Sequence, residues 1–317
     1  NIFQQNSFIS KYKTIILITV KVVIALGLLF YLVYAVNFKE ILTAIKLANI
    51  YLIAVAFLLC FVNIYLQFYK WKITANIVLQ ENHNSKIWLS LFYGFSAGVF
   101  TPARIGEYFG RALVFKNHSL LSVTLATLLD KFFLLVIVAF FGSISSILFI
   151  HYHYHVTFYL TIGLFILVFT LFYLFFWLIF NDRFWENVFF TKLRESIKLH
   201  WLFEKIKVFR KLDKKYATKM FVVSFLFYLC FLFQYSLLVA AFSNHYQFSE
   251  YIWAGNLMMF AKTIIPPVSI GELGIREGAS VFFITQLGES ASTGFNASIF
   301  LFFINVLIPS LIGMTLL

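Results

Sequence analysis

Two copies of one charged pattern carry most of the chemistry legible in this chain. Pro102-Ala-Arg104-Ile-Gly106-Glu107 is followed by Arg111, and Pro267-Val-Ser269-Ile-Gly271-Glu272 by Arg276, so both copies read P-x-x-I-G-E-x-x-x-R at an offset of 165 residues. The same offset superposes Trp88 on Trp253. Proline ends an incoming helical arm, and glycine permits a tight turn and close backbone approach. The helix that follows presents an N-terminus with partial positive charge and free N–H groups, which favour anions. Arg104, Arg111 and Arg276 add full positive charge, and together these parts would receive a phosphate. Glu107 with Arg111, and Glu272 with Arg276, are also i, i+4 pairs in the favourable orientation and could simply neutralise each other. An ionisable group at the centre of a bilayer costs about 3 kcal/mol or more, and a structural turn needs no charge. A functional role therefore outweighs a structural one for Glu107, Arg111, Glu272 and Arg276. For Arg104, whose counterpart is Ser269, and for Glu277 the two roles balance.

Charges in other apolar stretches extend the candidate site. Asp130 and Lys131 lie about ten residues into the stretch 120–150, where a charge pair is costly unless it faces the interior. Lys262 sits in a short apolar arm, with snorkelling to the interface as its simpler explanation. His151, His153 and His155 alternate with tyrosines, a pattern that suits interfacial aromatics better than a metal site. Cys60 and Cys230 fall inside apolar stretches and read as small buried hydrophobes, not as a disulfide or zinc ligands. No metal and no cofactor is expected.

These charges need a scaffold, and composition names its solvent. Of 317 residues, 62% are hydrophobic and 12% charged, with a mean hydropathy of +0.88, outside the range of soluble domains. The formal charge of +12 raises nucleic acid as a partner, but the basic residues flank apolar stretches, which is a mark of membrane topology. Six stretches reach the roughly 20 residues that a spanning helix needs: 15–36, 50–69, 120–150, 156–180, 220–243 and 296–317. The first follows Lys11 and Lys13, yet it is too long for a signal peptide and lacks a cleavage site, so it reads as a spanning helix. Two others, 87–101 and 252–265, are shorter and run into Pro102 and into Pro266-Pro267, which predicts re-entrant hairpins.

The segment 181–219 carries eleven Lys or Arg against five Asp or Glu and is therefore assigned to the cytoplasm. Its apolar residues recur at helical spacing, which suits a helix on the anionic inner leaflet and one packed beneath the bundle equally well. Threading outward places the N-terminus and a loop at 70–86, with Lys70, Lys72 and Lys86, on the cytoplasmic side. The loop 37–49, with Lys39 and Lys46, falls outside against the rule.

The expected fold is an all-α polytopic membrane protein with six spanning helices plus two re-entrant helical hairpins in an inverted repeat. It forms a single membrane domain over 1–317, with repeat halves at 50–150 and 220–317. Inversion follows because two spans separate the long helices that precede the motifs, so those helices run oppositely and the hairpin tips meet near the midplane. Pro102, Gly106, Pro266, Pro267, Gly271 and Gly274 shape the turns. The chain opens on Asn1 and stops inside an apolar run, so further residues are expected at its ends.

At these motifs the chain resembles the lysylphosphatidylglycerol synthase transmembrane family, also called the flippase-like domain family, which includes the membrane half of the multiple peptide resistance factor. The resemblance rests on Thr101 to Glu107 with Arg111, on Asp130-Lys131, and on Pro266 to Glu277. It implies translocation of an anionic or aminoacylated phospholipid, or of an isoprenoid-linked carrier, between leaflets. Lys131 stands where arginine is usual and Glu272 where a second glycine is common. The chain holds no soluble aminoacyl-transfer domain, so the resemblance does not extend to making a lysyl lipid.

Three functions could use such a site. A lipid flippase-like transporter would hold the headgroup phosphate and leave the tails in lipid. With no G-x-x-x-x-G-K-[ST] loop, its drive would be a gradient or downhill lipid flow, with Glu107, Glu272 or Asp130 as proton carriers. An ion or small-solute secondary transporter would need a polar cavity sealed from lipid. An enzyme would need a nucleophile or metal pattern, and none occurs, so no catalytic residue is assigned. The expected partners are a membrane lipid as substrate, anionic inner-leaflet lipids and, in a homodimer, a second copy, in a bacterial or archaeal cytoplasmic membrane with the N-terminus inside.

Overall fold

The computed structural model describes residues 30, 33, 34, 36–99, 101, 104–181, 214–265 and 273–316. Among them there is no strand. The helices are α1 (Phe38–Lys46), α2 (Ile50–Thr74, continued by a π turn at Ala75–Leu79), α3 (Asn84–Val99), α4 (Gly106–Val114), α5 (Leu120–Tyr154), α6 (Phe158–Phe180), α7 (Lys214–Ser243), α8 (Phe248–Ile264), α9 (Ile275–Gln286), α10 (Ala291–Phe302, continued by a π turn at Phe303–Leu307) and α11 (Ile308–Thr315). Helices α2, α5 and α10 begin where Asn49, Ser119 and Ser290 meet an apolar run. Each side chain accepts first-turn N–H groups that would otherwise lack partners.

Five helical stretches are long and apolar enough to cross a membrane: Ile50–Leu79, Leu120–Tyr154, Phe158–Leu178, Lys214–Ser243 and Ala291–Thr315. They correspond to five of the six predicted spans. The sixth, 15–36, and the basic segment 181–219 fall largely outside the described residues. Helix α6 turns Tyr159, Ile166, Phe169, Tyr173 and Trp177 outward, an apolar surface of the kind a membrane covers. The chain is a multi-pass membrane protein.

Helix α7 is the axis of the bundle and packs on α2, α5, α8 and α10. Its Tyr228, Phe231, Tyr235 and Leu238 share one core with Cys60, Ile137, Met258 and Leu301. Helices α2 and α7 run antiparallel. The Asn49 N–H donates to the Ala241 carbonyl at 2.9 Å, Gln234 to that of Ala56 at 3.0 Å, and the Thr74 and Tyr216 hydroxyls meet at 3.1 Å. Cys60 and Cys230 are buried free thiols, as expected.

The expected loops at 37–49 and 70–86 prove to be partly helix, the first as α1. Hydropathy places Lys70 in a loop, but α2 continues through Thr74 and the π turn to Leu79, because a helix keeps backbone groups paired while its long side chains reach inward. Helix α5 likewise runs on to Tyr154, so His151 and His153 lie in its last turn and His155 caps it.

Two helix pairs are too short to span. Helices α3 and α4 have 16 and 9 residues and α8 and α9 have 17 and 12, giving lengths of about 24, 14, 26 and 18 Å against a hydrocarbon core of ~30 Å. Helices α3 and α4 meet through Gly94 and Gly98 on one and Gly106 and Gly110 on the other, two G-x-x-x-G spacings. A Cβ at Gly106 would strike the Ala97 carbonyl and one at Gly110 the Tyr93 carbonyl, so the backbones touch only because no side chain intervenes. Gly106→Ala should therefore push α4 off α3, a cost of about 1–3 kcal/mol from overpacking that appears as a lower thermal-unfolding midpoint in detergent. Gly163→Ala on α6, where an added Cβ meets nothing, should leave the midpoint in place.

Candidate functional site

Thr101 ties the turn between α3 and α4. Its hydroxyl donates toward the Ala97 and Gly98 carbonyls at 3.2 Å and accepts the Gly106 N–H at 2.7 Å. Arg104, in the same turn, has φ of 53°, a left-handed conformation uncommon for a side-chain-bearing residue. Glu107 lies in the first turn of α4, where the helix dipole favours a carboxylate, and Arg111 in the last.

Helix α5 completes the arrangement. Arg111 Nη2 donates to Glu107 Oε1 at 2.6 Å and Nη1 to Asp130 Oδ2 at 3.0 Å. Lys131 Nζ donates to Glu107 Oε2 at 2.7 Å, and Arg104 Nε stands 3.7 Å from the same oxygen. Neighbours on a helix point about 100° apart, so Asp130 reaches Arg111 while Lys131 reaches Glu107. Lys70, from α2, places Nζ 3.8 Å from Asp130 Oδ1. The Arg111 guanidinium lies over the Trp71 ring, 4.3 Å from its centre, and the buried indole N–H donates to Ser90 Oγ at 2.7 Å.

Among the described residues this cluster sets four cations, Lys70, Arg104, Arg111 and Lys131, against two carboxylates, Glu107 and Asp130. The carboxylates, Arg111 and Lys70 are buried, whereas the side chains of Arg104 and Lys131 are 21% and 34% exposed. The rim is thus cationic and the base ion-paired. The Nε atoms of Arg104 and Arg111 are buried donors, and Asp130 Oδ1 a buried acceptor, without a hydrogen-bond partner, a deficit of about 1–3 kcal/mol each. Surplus positive charge with spare donors is chemistry suited to an anion.

The second motif is organised differently. Helix α9 begins at Ile275, so Arg276 falls in a first turn where Arg111 falls in a last one. Its guanidinium donates to Glu277, and Nε donates to Ser298 Oγ at 3.2 Å. Glu277 also accepts the Gly274 N–H at 2.6 Å, with Gly274 at φ of 90°. Arg276 and Glu277 are both buried and neutralise each other, with no exposed edge. The expectation that both motifs supply the same parts therefore fails for the described residues, because the helix starts four residues later in the second copy. No described hydrogen bond or ion pair joins this site to the first. Lys262 lies in the last turn of α8. Pro102, Pro266, Pro267, Gly271 and Glu272 lie outside the described residues.

Two sets of site residues escaped motif reading. Lys70 was hidden by its position at the hydropathy boundary. The other set is a buried amide cluster: Gln67 donates to Asn63 at 2.8 Å, Asn63 to Gln234 at 3.2 Å, and Asn305, in the second π turn, to Gln234 at 3.0 Å. Four amides inside apolar stretches were a readable signal, since polar groups in hydrocarbon demand partners. This cluster ties α2 and α7 to the π turn.

Fold and site together define a multi-pass helical membrane protein built around a buried, cation-rich ion cluster. The model of the lysylphosphatidylglycerol synthase TM region matches residues 18–313, and the chain belongs to that family. No curated protein and no solved structure matches it.

Surplus charge sets the sign of a test. Asp130→Asn strands Lys70 without a carboxylate and leaves Arg111 with Glu107 alone, and should destabilise by about 3–5 kcal/mol. Lys70→Met lowers the surplus and should leave the unfolding midpoint in detergent unchanged or raised. The opposite order would show that surplus charge does not govern the cluster.

Proposed function

We propose that this chain is a flippase-like transporter that moves an anionic, aminoacylated or polyprenyl phospholipid between the leaflets of a bacterial or archaeal cytoplasmic membrane. The observation that carries this reading is the cationic rim of Arg104 and Lys131 above the buried Glu107–Arg111–Asp130 network, at the turn of a helix pair too short to span. In this reading α3–α4 and α8–α9 are re-entrant hairpins of an inverted repeat, supported by the antiparallel course of α2 and α7. The lysines at 72, 86, 215 and 219 belong to the cytoplasmic side.

The headgroup phosphate takes Lys131 and Arg104 in place of Glu107 Oε2, while Glu107 keeps its bond to Arg111. The tails remain in lipid. Ile105, Phe109 and Leu113 recur at four-residue spacing on or beside α4 and are 52%, 53% and 60% exposed, so the site adjoins an apolar face, not a sealed polar chamber. That feature favours a lipid over a small solute. No covalent step is involved.

In proteoliposomes, headgroup-labelled lipid from a panel of anionic, aminoacylated and polyprenyl lipids should cross faster with the wild-type protein than in empty vesicles. Lys131→Gln should slow that lipid about ten-fold, the loss of one charge-assisted contact of ~1.4 kcal/mol. If no lipid crosses faster than in empty vesicles, lipid transport is wrong and ion or small-solute transport becomes the reading to test.

A further inference from the structure

A second lipid-sized feature lies on the seam between α2 and α7. One pocket of about 360 Å³, where α2 ends and α7 begins, is lined by Tyr69, Lys72, Ile73, Lys215, Tyr216 and Lys219 among others. A second, of about 480 Å³, lies further along the same seam between Leu59, Val62 and Leu66 on α2 and Leu226, Leu229 and Phe233 on α7. Positions 59, 62, 66, 69, 73 and 76 recur every three or four residues and so share one face of α2. On α7, 219, 226, 229, 233 and 237 follow at steps of seven, three, four and four and share one face. The two pockets are therefore stretches of one groove about 25 Å long.

Its two ends differ in chemistry. The first pocket carries three lysines and no carboxylate in its lining, and among the described residues none of the three is ion-paired. The rest is apolar, and Val62, Leu226 and Phe233 are about half exposed. A free anion would satisfy only the lysines and an apolar side chain only the trough. An amphiphile with an anionic head satisfies both. The chain entering α1 packs through Val33 and Val36 with Phe295 and Ile299 of α10, not with these residues. Neither Lys70 nor Trp71 lines either pocket, so the groove shares no lining residue with the ion cluster.

We propose that this groove docks one anionic phospholipid, with its phosphate on Lys72, Lys215 and Lys219 and an acyl chain along Leu66, Leu226 and Leu229. It acts as a tether between α2 and α7, off the transport path. The inference needs only that the chain is embedded in a membrane, and it stands whether or not lipid is transported.

Native mass spectrometry of the full chain, released from mild detergent after incubation with phosphatidylglycerol or phosphatidylcholine of equal chain length, tests it. The wild type should retain phosphatidylglycerol preferentially. K72Q/K215Q/K219Q should lose that preference, about five-fold in affinity per lysine, whereas K72R/K215R/K219R keeps it. L66W/L229W should weaken retention of both lipids, and Lys46→Gln, on α1 and outside both sites, should retain the preference. Equal retention of both lipids by the wild type overturns the proposal. So does an unchanged preference in the triple glutamine variant, or displacement of the lipid by inorganic phosphate, which would mark a free-anion site. If the glutamine variant does not fold, L66W/L229W decides, and its unchanged retention overturns the proposal. Transport by these variants is scored separately and bears only on the ion cluster.

Discussion

A carboxylate held in hydrocarbon persists only while cations stay within its reach, and Glu107 is the point at which this requirement ties the protein together. Its two oxygens take Arg111 from α4 and Lys131 from α5. Through Arg111 the same network reaches Asp130, and through Asp130 it reaches Lys70 on α2. Three helices and one turn are thus held by charges that none of them could carry alone. The glycine contact between α3 and α4 serves this arrangement directly, since a side chain at Gly94 would meet both Arg111 and Glu107.

The two motif copies divide their roles. The first leaves a cationic rim partly open and donors unsatisfied. The second closes on itself, Arg276 against Glu277, with Ser298 and the Gly274 N–H completing the shell. Identical residue spacing does not guarantee identical roles, because what a side chain meets depends on where its helix begins. Arg111 ends a short helix beside α5, whereas Arg276 opens one beside α10.

Much of this was legible in the sequence. Hydropathy placed five spanning stretches, and the proline-glycine motifs marked both short helix pairs. Glu107, Arg111, Asp130 and Lys131 were brought into one candidate site from their cost in lipid alone, and family membership followed from the same residues. Lys70 was not legible, because an apolar run that ends at residue 69 looks the same whether the next lysine enters water or turns inward to a carboxylate sixty residues away. The amide cluster of Asn63, Gln234 and Asn305 was missed for a related reason. Each could be read singly as a polar group in an apolar stretch, but only packing shows that the three meet. The partner of Arg276 was also beyond spacing, since adjacent residues face apart on a helix unless one of them caps its start, as Glu277 does.

The surplus of positive charge around Arg111 has an electrical consequence. In a medium of low dielectric constant a fixed cation repels other cations over several ångströms, and positive groups set in a membrane pathway bar protons and metal cations from it. In the proposed transport path a large amphiphile with a negative head would be drawn in, while sodium and potassium would be turned away. The charge that would recognise a passenger would thus also insulate the membrane, keeping its ion gradients intact while the path is open.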